Sequence, residues 1–381
     1  MIVAGIMSGT SADGINVAIA QLLGRGFATR LRLIAHEEFP YPARVRSALL
    51  GLMNAQRADV ADLARMNFLL AELYAAAVQQ TQRRSRVARI DLIGCHGQTI
   101  YHQGDPREFL GRRLAVTWQL GEGSTLAERV GAPVVSDFRP ADMAAGGKGA
   151  PLVPLLDYVV FRHRARGRIL QNIGGIANLS TIPASARPSD VIAFDTGPGN
   201  MVIDGCMERL FQRGFDRDGK VAARGKVITP ALKVLVQDPF FRRRPPKTAG
   251  REEFGREFVG RFIRLCGRAK KEDVIATATA FTVETIRIAL RSVVTSKGKF
   301  RDYIVTGGGA KNPTLMRMLD DELPRLDLTR KSSDDLGVPP AAKEAMAFAL
   351  LAYQTWHRQP GNVPSATGAR RPAILGKISY V

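Results

Sequence analysis

A stretch rich in glycine and hydroxyl groups, residues 7–16, lies between two apolar runs that predict β-strands. Its glycines, Gly9 and Gly14, let the backbone curl and approach a ligand closely, and its N–H groups and hydroxyls suit phosphate oxygens. The neighbouring carboxylate of Asp13 could hold Mg²⁺, directly or through water. The stretch predicts a phosphate-binding turn, although a hairpin turn made of ordinary turn-forming residues has the same composition.

A second hairpin with a glycine turn opens the second half of the chain. Its strands are predicted at 168–174 and 177–183, with Gly174 and Gly175 between them. Each half of the chain therefore begins with the same kind of turn, which indicates a weak internal duplication. Two such turns, one in each lobe, could grip the phosphates of a nucleotide from both sides.

Polar groups also follow three other predicted strands, as ligand groups do in open α/β sheets. Strand 90–94 leads to His96 and Gln98, and strand 191–194 leads to Asp195. For His96, a buried ring with satisfied hydrogen bonds is the alternative. Strand 303–306 runs into residues 307–309, a triple glycine that could lie flat against an adenosine. The carboxylates available for Mg²⁺ or proton transfer are Asp13, Asp137, Asp142 and Asp195, an inventory that suits phosphoryl transfer.

Several elements must position these groups. Further strands are predicted at 31–39, 116–120 and 133–138, and residues 137–151 read as a hinge or binding loop. The predicted helices are 42–53, 58–80, 124–130, 201–211, 230–237, 253–266, 272–294, one from residue 313, and 341–357.

Composition and charge limit the class of protein. The 381 residues are 45% hydrophobic and 24% charged, which suggests two globular domains. The three cysteines show no metal-binding spacing. No apolar stretch reaches the roughly 20 residues of a membrane span, and Met1 leads directly into a strand-like run, so we expect a cytoplasmic protein without a signal peptide. The net charge of +20 is dispersed in short clusters without a nucleic-acid-binding motif, so we expect solvated surface and no nucleic-acid or membrane partner.

Common phosphate and hydrolase motifs are absent from the sequence. Lys148 follows Gly147 but precedes Gly149, so no Walker motif is formed, and no G-x-G-x-x-G or G-x-S-x-G occurs. The chain instead closely resembles the anhydro-N-acetylmuramic acid kinase family, nearly from end to end. The matching segments are MSGTSADG at 7–14, GCHGQT at 94–99, SDFRPADMAAGGKGAPLVP at 136–154, NIGGIANLS at 172–180, FDTGPGN at 194–200, PPKTAGRE at 245–252, TGGGAKNPTLM at 306–316, GVPPAAKEAMAFALLA at 337–352 and GNVPSATGA at 361–369.

This resemblance implies an α/β fold of the sugar kinase, actin and chaperone-ATPase superfamily, with two ribonuclease H-like lobes closing on ATP and Mg²⁺. It implies opening of the 1,6-anhydro ring of anhydro-N-acetylmuramic acid with phosphorylation at O6, in the recycling of bacterial cell-wall sugars. A homodimer is also expected from the family. The lobes are predicted as 1–135 with 345–381, and 136–344.

The resemblance also assigns roles to residues. Asp195 would be the general base that takes a proton from the water attacking the anomeric carbon. Glu344 would help to orient that water, although the helix dipole also favours a carboxylate in a first helical turn. The residues that would contact the sugar or order the cleft are His96, Gln98, Asp137 and Arg139. Those that would bind ATP are Gly9, Thr10, Ser11, Ala12, Asp13, Gly14, Ile15, Asn16, Asn172, Gly174, Gly307, Gly308 and Gly309, with Asp13 also binding the metal.

Two departures from the family pattern keep alternatives open. Asn16 stands where the family usually has Asp, which could weaken the organisation of Mg²⁺ or phosphate, although an amide keeps one acceptor oxygen. Lys148 stands where Gln is usual, and it could contact an anionic ligand or face solvent. The alternatives to the expected activity are a levoglucosan-type kinase and a catalytically weak, ATP-binding switch protein.

Overall fold

The computed structural model describes residues 1–9, 12–53, 55–245, 247–294 and 300–381. The chain divides into two compact units. The first contains Met1–Val160 and Gly337–Val381, and the second contains Phe161–Leu336. Each unit has its own sheet and its own hydrophobic core.

The first unit is built on a mixed sheet. Strands β1, β2 and β3 form an antiparallel meander, and β4 and β6 continue the sheet parallel to β1, giving the order β12-β6-β4-β1-β2-β3 with β5 paired to β4. Its strands are β1 (Ile2–Ser8), β2 (Gly14–Leu23), β3 (Arg30–Pro40), β4 (Leu92–Phe109), β5 (Arg112–Leu120), β6 (Val134–Ser136) and β12 (Lys377–Ser379). The helices are α1 (Ala43–Leu52), α2 (Val60–Ser85), α3 (Gly123–Val130), α4 (Phe138–Ala144), α5 (Pro154–Phe161, ending at the unit boundary), α13 (Lys343–Trp356) and α14 (Pro364–Thr367).

The second unit repeats this strand order. Strands β7, β8 and β9 form the antiparallel meander, and β10 and β11 run parallel to β7, giving the order β11-β10-β7-β8-β9. Its strands are β7 (Gly167–Ile173), β8 (Ile176–Ile182), β9 (Ile192–Pro198), β10 (Phe300–Thr306) and β11 (Thr329–Lys331). The helices are α6 (Met201–Phe211), α7 (Thr229–Leu235), α8 (Pro239–Arg242), α9 (Arg251–Phe254), α10 (Arg256–Leu265), α11 (Lys271–Val294) and α12 (Pro313–Asp320).

The shared order confirms the predicted fold class of two ribonuclease H-like units. In both, short turns join the antiparallel strands, whereas the parallel partner is reached through helices, because a parallel connection must cross back over the sheet. In the first unit α1 and α2 lie on this crossover, and in the second α6 to α11 lie on it.

The boundaries of the units differ from the predicted division at 135/136 and 344/345. Residues 136–160 belong to the first unit, because β6 pairs with β4 and β12, and the buried Asp142 bonds to Asn362 and Thr367 near the end of the chain. Glu344 also lies in the first unit, since α13 packs on β1 and β4.

Several elements differ from the sequence predictions. Strand β4 extends far beyond the predicted 90–94 and pairs with β5 as a long hairpin, whose outer residues are exposed and charged and so lack an apolar alternation. Residues 138–144 form α4 where a loop was predicted. The predicted helix 253–266 is divided at Gly255, which precedes α10 in an extended conformation.

Helix α13 lies directly against the first sheet where two strands carry glycine. A Cβ atom added at Gly5 in β1 would overlap the carbonyl oxygen of Ala345, and one added at Gly94 in β4 would overlap that of Phe348. The absence of these side chains therefore lets the helix backbone approach the strands.

Among the helices in the described part of the chain, none has the length and apolar composition that crossing a membrane requires.

We predict that Gly94→Ala lowers the free energy of unfolding by about 1–3 kcal/mol, because α13 must move away from the sheet to admit the methyl group. Urea unfolding followed by circular dichroism measures this change. Gly51→Ala is the matched control, since Gly51 is at the end of α1 and has no atom within 4 Å of its added Cβ. Equal stability of the Gly94 and Gly51 variants would contradict the close packing of α13.

Candidate functional site

The β1–β2 turn in the first unit is held by a buried polar cluster at its base. Ser8 donates to Oε1 of Gln98 at 2.5 Å, and the hydroxyl of Tyr41 lies 2.9 Å from the Ser8 hydroxyl. Gln98 in turn donates from Nε2 to the carbonyl oxygen of Gly9 at 3.1 Å. Because Gln98 is fully buried, these contacts give it a role in shaping the turn.

The described residues of the turn, on either side of Thr10 and Ser11, are fixed by backbone contacts. Ala12 has a left-handed backbone with φ of 52°, and its N–H donates to Gly9 O. The side chains of Ala12 and Ile15 are buried in the core, and Gly14 lies against the backbone of Phe39, where a Cβ would not fit. Thr10 and Ser11, which were also predicted to bind phosphate, lie outside the described residues.

The two polar side chains after the turn have partners within the first unit. The exposed carboxylate of Asp13, predicted to bind metal, forms an ion pair with Arg46 at 3.0 Å. The amide oxygen of Asn16 lies 3.2 Å from Nε2 of His36 on the neighbouring strand β3. Asn16 therefore joins two strands through its side-chain oxygen, an acceptor that the usual Asp would also provide.

The buried His96, within β4, pairs with the partly exposed Arg139 of α4. Nη2 and Nε of Arg139 lie 2.8 and 3.2 Å from Nε2 of His96, and Nη1 donates to Gly149 O at 2.7 Å. Since a guanidinium only donates, Nε2 accepts and Nδ1 carries the proton toward Gly97 O, 2.7 Å away. Burial and the cation of Arg139 lower the pKa of His96 to about 3, so the ring is neutral. His96 thus fixes the position of Arg139.

The carboxylates between residues 136 and 150 have structural partners. Asp142 is fully buried and accepts from Asn362, Thr367 and the backbone N–H of Gly149, so the prediction that it offers a free group for Mg²⁺ or proton transfer is wrong. The role predicted for Asp137 stays a prediction: it precedes α4 in a left-handed conformation and pairs with Lys377 at 3.1 Å. Lys148 pairs with Asp105 on β4 at 3.0 Å.

Glu344 lies in the first turn of α13, where the helix dipole favours a carboxylate. Part of its side chain is exposed, but burial of the carboxyl group raises its pKa, and the cations of Lys343 and Arg139 oppose this rise. The adjacent Lys343 is held in a buried ion pair with Asp157 at 2.8 Å. The position fits both sequence interpretations, a helix-terminal carboxylate and a group that orients water.

In the second unit, Asp195 lies on β9 and is held by the chain after residue 246. The N–H of Ala249 donates to Oδ2 of Asp195 at 2.7 Å, and the N–H of Asp195 donates to Lys247 O at 3.0 Å. Burial raises the pKa of Asp195 to about 6. This value is well suited to a general base, because the carboxylate is ionised near pH 7 and still has appreciable affinity for a proton.

The glycine turns predicted to bind nucleotide come together at one end of the second sheet. The hairpin turn accepts hydrogen bonds from the loop after β9, since the N–H of Gly199 bonds to Gly175 O and that of Asn200 bonds to Gly174 O. Gly307, with φ of 86°, lies against the side chain of Asn172, and Gly308 lies near Nδ2 of Asn200. Gly175 and Gly308 are exposed, so the assembled turns present bare backbone to solvent.

Four residues around these groups were missed by the sequence analysis. Three of them stand within the quoted motifs but were not singled out: Asn200, Lys247 and Ala249. Asn200 forms a backbone hydrogen bond with the glycine turn, and Lys247 and Ala249 form hydrogen bonds with Asp195. Thr282 on α11 donates to Gly199 O at 2.7 Å and carries no local signal, because its partner is far away in the sequence. Within the described residues, no three histidine, cysteine, aspartate or glutamate side chains are grouped as metal ligands.

Comparisons with known proteins show which family the chain resembles. The family model described as "Anhydro-N-acetylmuramic acid kinase" matches residues 1–381. Relatives with that name include one from Bacillus cereus (strain AH187), 40% identical over 382 residues covering 100% of this chain and 99% of the relative. Another, from Caldanaerobacter subterraneus subsp. tengcongensis, is 42% identical over 384 residues covering 99% and 96%. Similar solved structures include the activator of 2-hydroxyisocaproyl-CoA dehydratase from Clostridium difficile, 13% identical, covering 94% and 96%, with a TM-score of 0.45.

We predict that His96 keeps a neutral ring, with the proton on Nδ1, from pH 8 to pH 5, because burial and Arg139 disfavour its charged form. Long-range ¹H–¹⁵N NMR, assigned with His96→Asn, measures the tautomer. Arg139→Met should shift the Nε2 resonance by removing its donor, whereas Arg113→Met on the exposed β5 should leave it unchanged. A His96 ring that gains a second proton between pH 7 and pH 6 would contradict this geometry.

Proposed function

Because the chain belongs to the anhydro-N-acetylmuramic acid kinase family, we propose that it phosphorylates anhydro-N-acetylmuramic acid at O6 with ATP while water opens the 1,6-anhydro ring. The product is N-acetylmuramic acid 6-phosphate, and the reaction recycles cell-wall sugar. The observation that carries the proposal, beside the family match, is the largely desolvated carboxylate of Asp195, whose pKa of about 6 suits a base at neutral pH.

The proposed reaction begins at Asp195. Its carboxylate takes a proton from a water molecule, and the water oxygen bonds to the anomeric carbon. The bond between that carbon and O6 breaks with its electron pair passing to O6, which attacks the γ-phosphorus and releases ADP. Every atom of the water is then accounted for, with the hydroxyl on the anomeric carbon and the proton on Asp195. Glu344 is proposed to help orient the water, as the resemblance implies.

The glycine turns support the proposed binding of ATP. In the second unit, exposed Gly175 and Gly308 offer a surface without side chains near Asn200 and Asn172, which suits a flat nucleotide surface. In the first unit, the β1–β2 turn is closed by the hydrogen bond from Ala12 N–H to Gly9 O with Ala12 in a left-handed conformation, and left-handed residues occur in turns that form phosphate-binding nests. The exposed glycines of the second unit and the tight turn of the first therefore support the binding of the nucleotide that a kinase requires.

Mg²⁺ would neutralise charge on the phosphate oxygens of ATP. The residues present fit such an ion, because Mg²⁺ bound with a nucleotide usually takes only one or two carboxylates and several waters. Asp13 is the exposed carboxylate next to the phosphate turn, and its partner Arg46 is also exposed, so their ion pair is weak and can be exchanged. We propose that Asp13 would hold Mg²⁺, directly or through water, and that the ion would offset the charge of the ATP phosphates.

The residues proposed to meet the sugar divide into two kinds. Arg139 remains charged near neutral pH, since burial lowers its pKa only to about 10, and it is proposed to contact the sugar. His96 and Gln98 have their side-chain partners inside the unit, so they are proposed to shape the site by holding Arg139 and the β1–β2 turn.

We predict that ADP release, measured by a coupled assay with Mg²⁺ and ATP, depends on added anhydro-N-acetylmuramic acid. Asp195→Asn should lower kcat by about 10²–10⁴, because the amide cannot accept the proton. Asp218→Asn is the matched control, since Asp218 is an exposed carboxylate of the same unit and should leave kcat unchanged.

The same assay separates the alternatives. Faster turnover with levoglucosan than with the anhydro-muramic sugar would favour a levoglucosan-type kinase. ATP binding without turnover on either sugar would remove the catalytic proposal and favour the switch protein that Asn16 first suggested. Mass spectrometry of the product should show one added phosphate and one added water relative to the anhydro-sugar.

A further inference from the structure

One short segment, residues 247–249, contacts both the backbone and the carboxylate of Asp195. The carbonyl oxygen of Lys247 accepts the N–H of Asp195, and the N–H of Ala249 donates to Oδ2 at 2.7 Å. The first hydrogen bond holds the backbone of β9 at Asp195, and the second holds one oxygen of its carboxylate. Oδ1 is the atom left for another proton donor.

The side chain of Lys247 anchors this segment. Its Nζ atom donates to Phe240 O at 3.2 Å and lies 4.6 Å from the centre of the Phe240 ring and 5.8 Å from that of Phe194. Only 9% of Lys247 is exposed. Its ammonium group is therefore seated on the aromatic core of the second unit, through a carbonyl bond and cation–π contacts, next to Asp195.

The charged groups around Asp195 act in opposite directions. Burial raises the pKa of Asp195, the hydrogen bond from Ala249 lowers it, Glu253 on α9 raises it and Lys247 lowers it. Burial lowers the pKa of the Lys247 ammonium to about 8, and the charge of Arg243 contributes to this decrease. Lys247 is therefore mostly a cation at pH 7. Ala249 and Lys247 together oppose the desolvation that would leave the carboxyl protonated.

We propose that segment 247–249 is the positioning element of the general base, which holds Oδ2 of Asp195 through Ala249 and leaves Oδ1 as the proton-accepting atom. The inference rests on the proposed role of Asp195. Lys247 acts through Asp195 and is a positioning residue, because its ammonium points to Phe240 O. The segment thus links the aromatic core to the carboxylate that takes the proton.

The pH profile of kcat/KM tests this role. In the wild-type protein, activity should fall as pH decreases through about 6, since the protonated carboxyl cannot act as a base. Lys247→Met should move this acid limb upward by as much as about one pH unit, which lowers the rate at pH 6 about fivefold and leaves the rate at pH 8.5 close to wild type. Lys247→Arg should keep the limb in place, and Lys233→Met, at an exposed lysine of α7, is the matched control.

A second readout does not need substrate. The ¹³C resonance of the Asp195 carboxyl, assigned with Asp195→Asn, reports its titration directly. The midpoint of this titration should shift to higher pH in Lys247→Met. It should shift further in Ala249→Pro, which lacks the N–H that binds Oδ2. This measurement distinguishes the two proposals, because it decides the contribution of the segment even if no sugar-dependent turnover is found and the proposed function fails.

Parallel upward shifts of the pH profile and of the ¹³C titration would support the inference. An equal loss of activity at every pH, with the ¹³C titration unchanged, would show that the segment only stabilises the fold and would overturn it. A ¹³C titration that moves without the acid limb would also overturn it, since Asp195 would then not be the group that the segment serves in catalysis.

Discussion

The parallel pairing at the centre of each sheet is the constraint on which the candidate site depends. Parallel strands end at the same edge, so residues far apart in the sequence become neighbours there. In the first unit β1 pairs with β4 in a register that sets Ser8 opposite Gln98, and these two residues hold the glycine turn. In the second, β7 pairs with β10 so that Asn172 is opposite Thr306, which brings the triple glycine to the hairpin turn. The same physical rule, applied twice, assembles both sets of groups.

Close backbone packing then fixes the loops that the strands bring together. Gly199 has no room for a side chain because Gly174 O lies against it, and the two turns share hydrogen bonds. Thr282 adds a bond from α11 to Gly199 O, so a buried helix of the second core supports the loop that follows Asp195. Many glycines of this chain therefore act by permitting contact between backbones, while only a few leave bare surface for a ligand.

The sequence predicted what local patterns encode and missed what depends on distant partners. Both hairpins and their glycine turns were visible, because apolar runs ended at turn-forming residues. The long β4–β5 hairpin was not, since its exposed strands have no buried face to impose alternation. Asp142 looked like a free carboxylate in a polar loop, yet Asn362 and Thr367 surround it in the fold. Likewise, the contact of Ala249 with Asp195 joins residues that helices α6 to α8 separate in the sequence, and no spacing rule reveals it.

The proton affinity of Asp195 has a consequence for stability. Its pKa rises from 3.8 in a model peptide to about 6, so the folded state binds this proton more tightly than the unfolded chain does. The resulting loss of stability begins as pH rises above about 4 and is complete above about pH 6, where it amounts to roughly 3 kcal/mol. The extensive aromatic core around Phe240, Phe254 and Phe281 offsets this cost. The folded state favours the protonated form of Asp195 relative to the unfolded chain. At neutral pH the carboxylate is nevertheless ionised, so the rest of the fold must supply the stability that this ionised group costs.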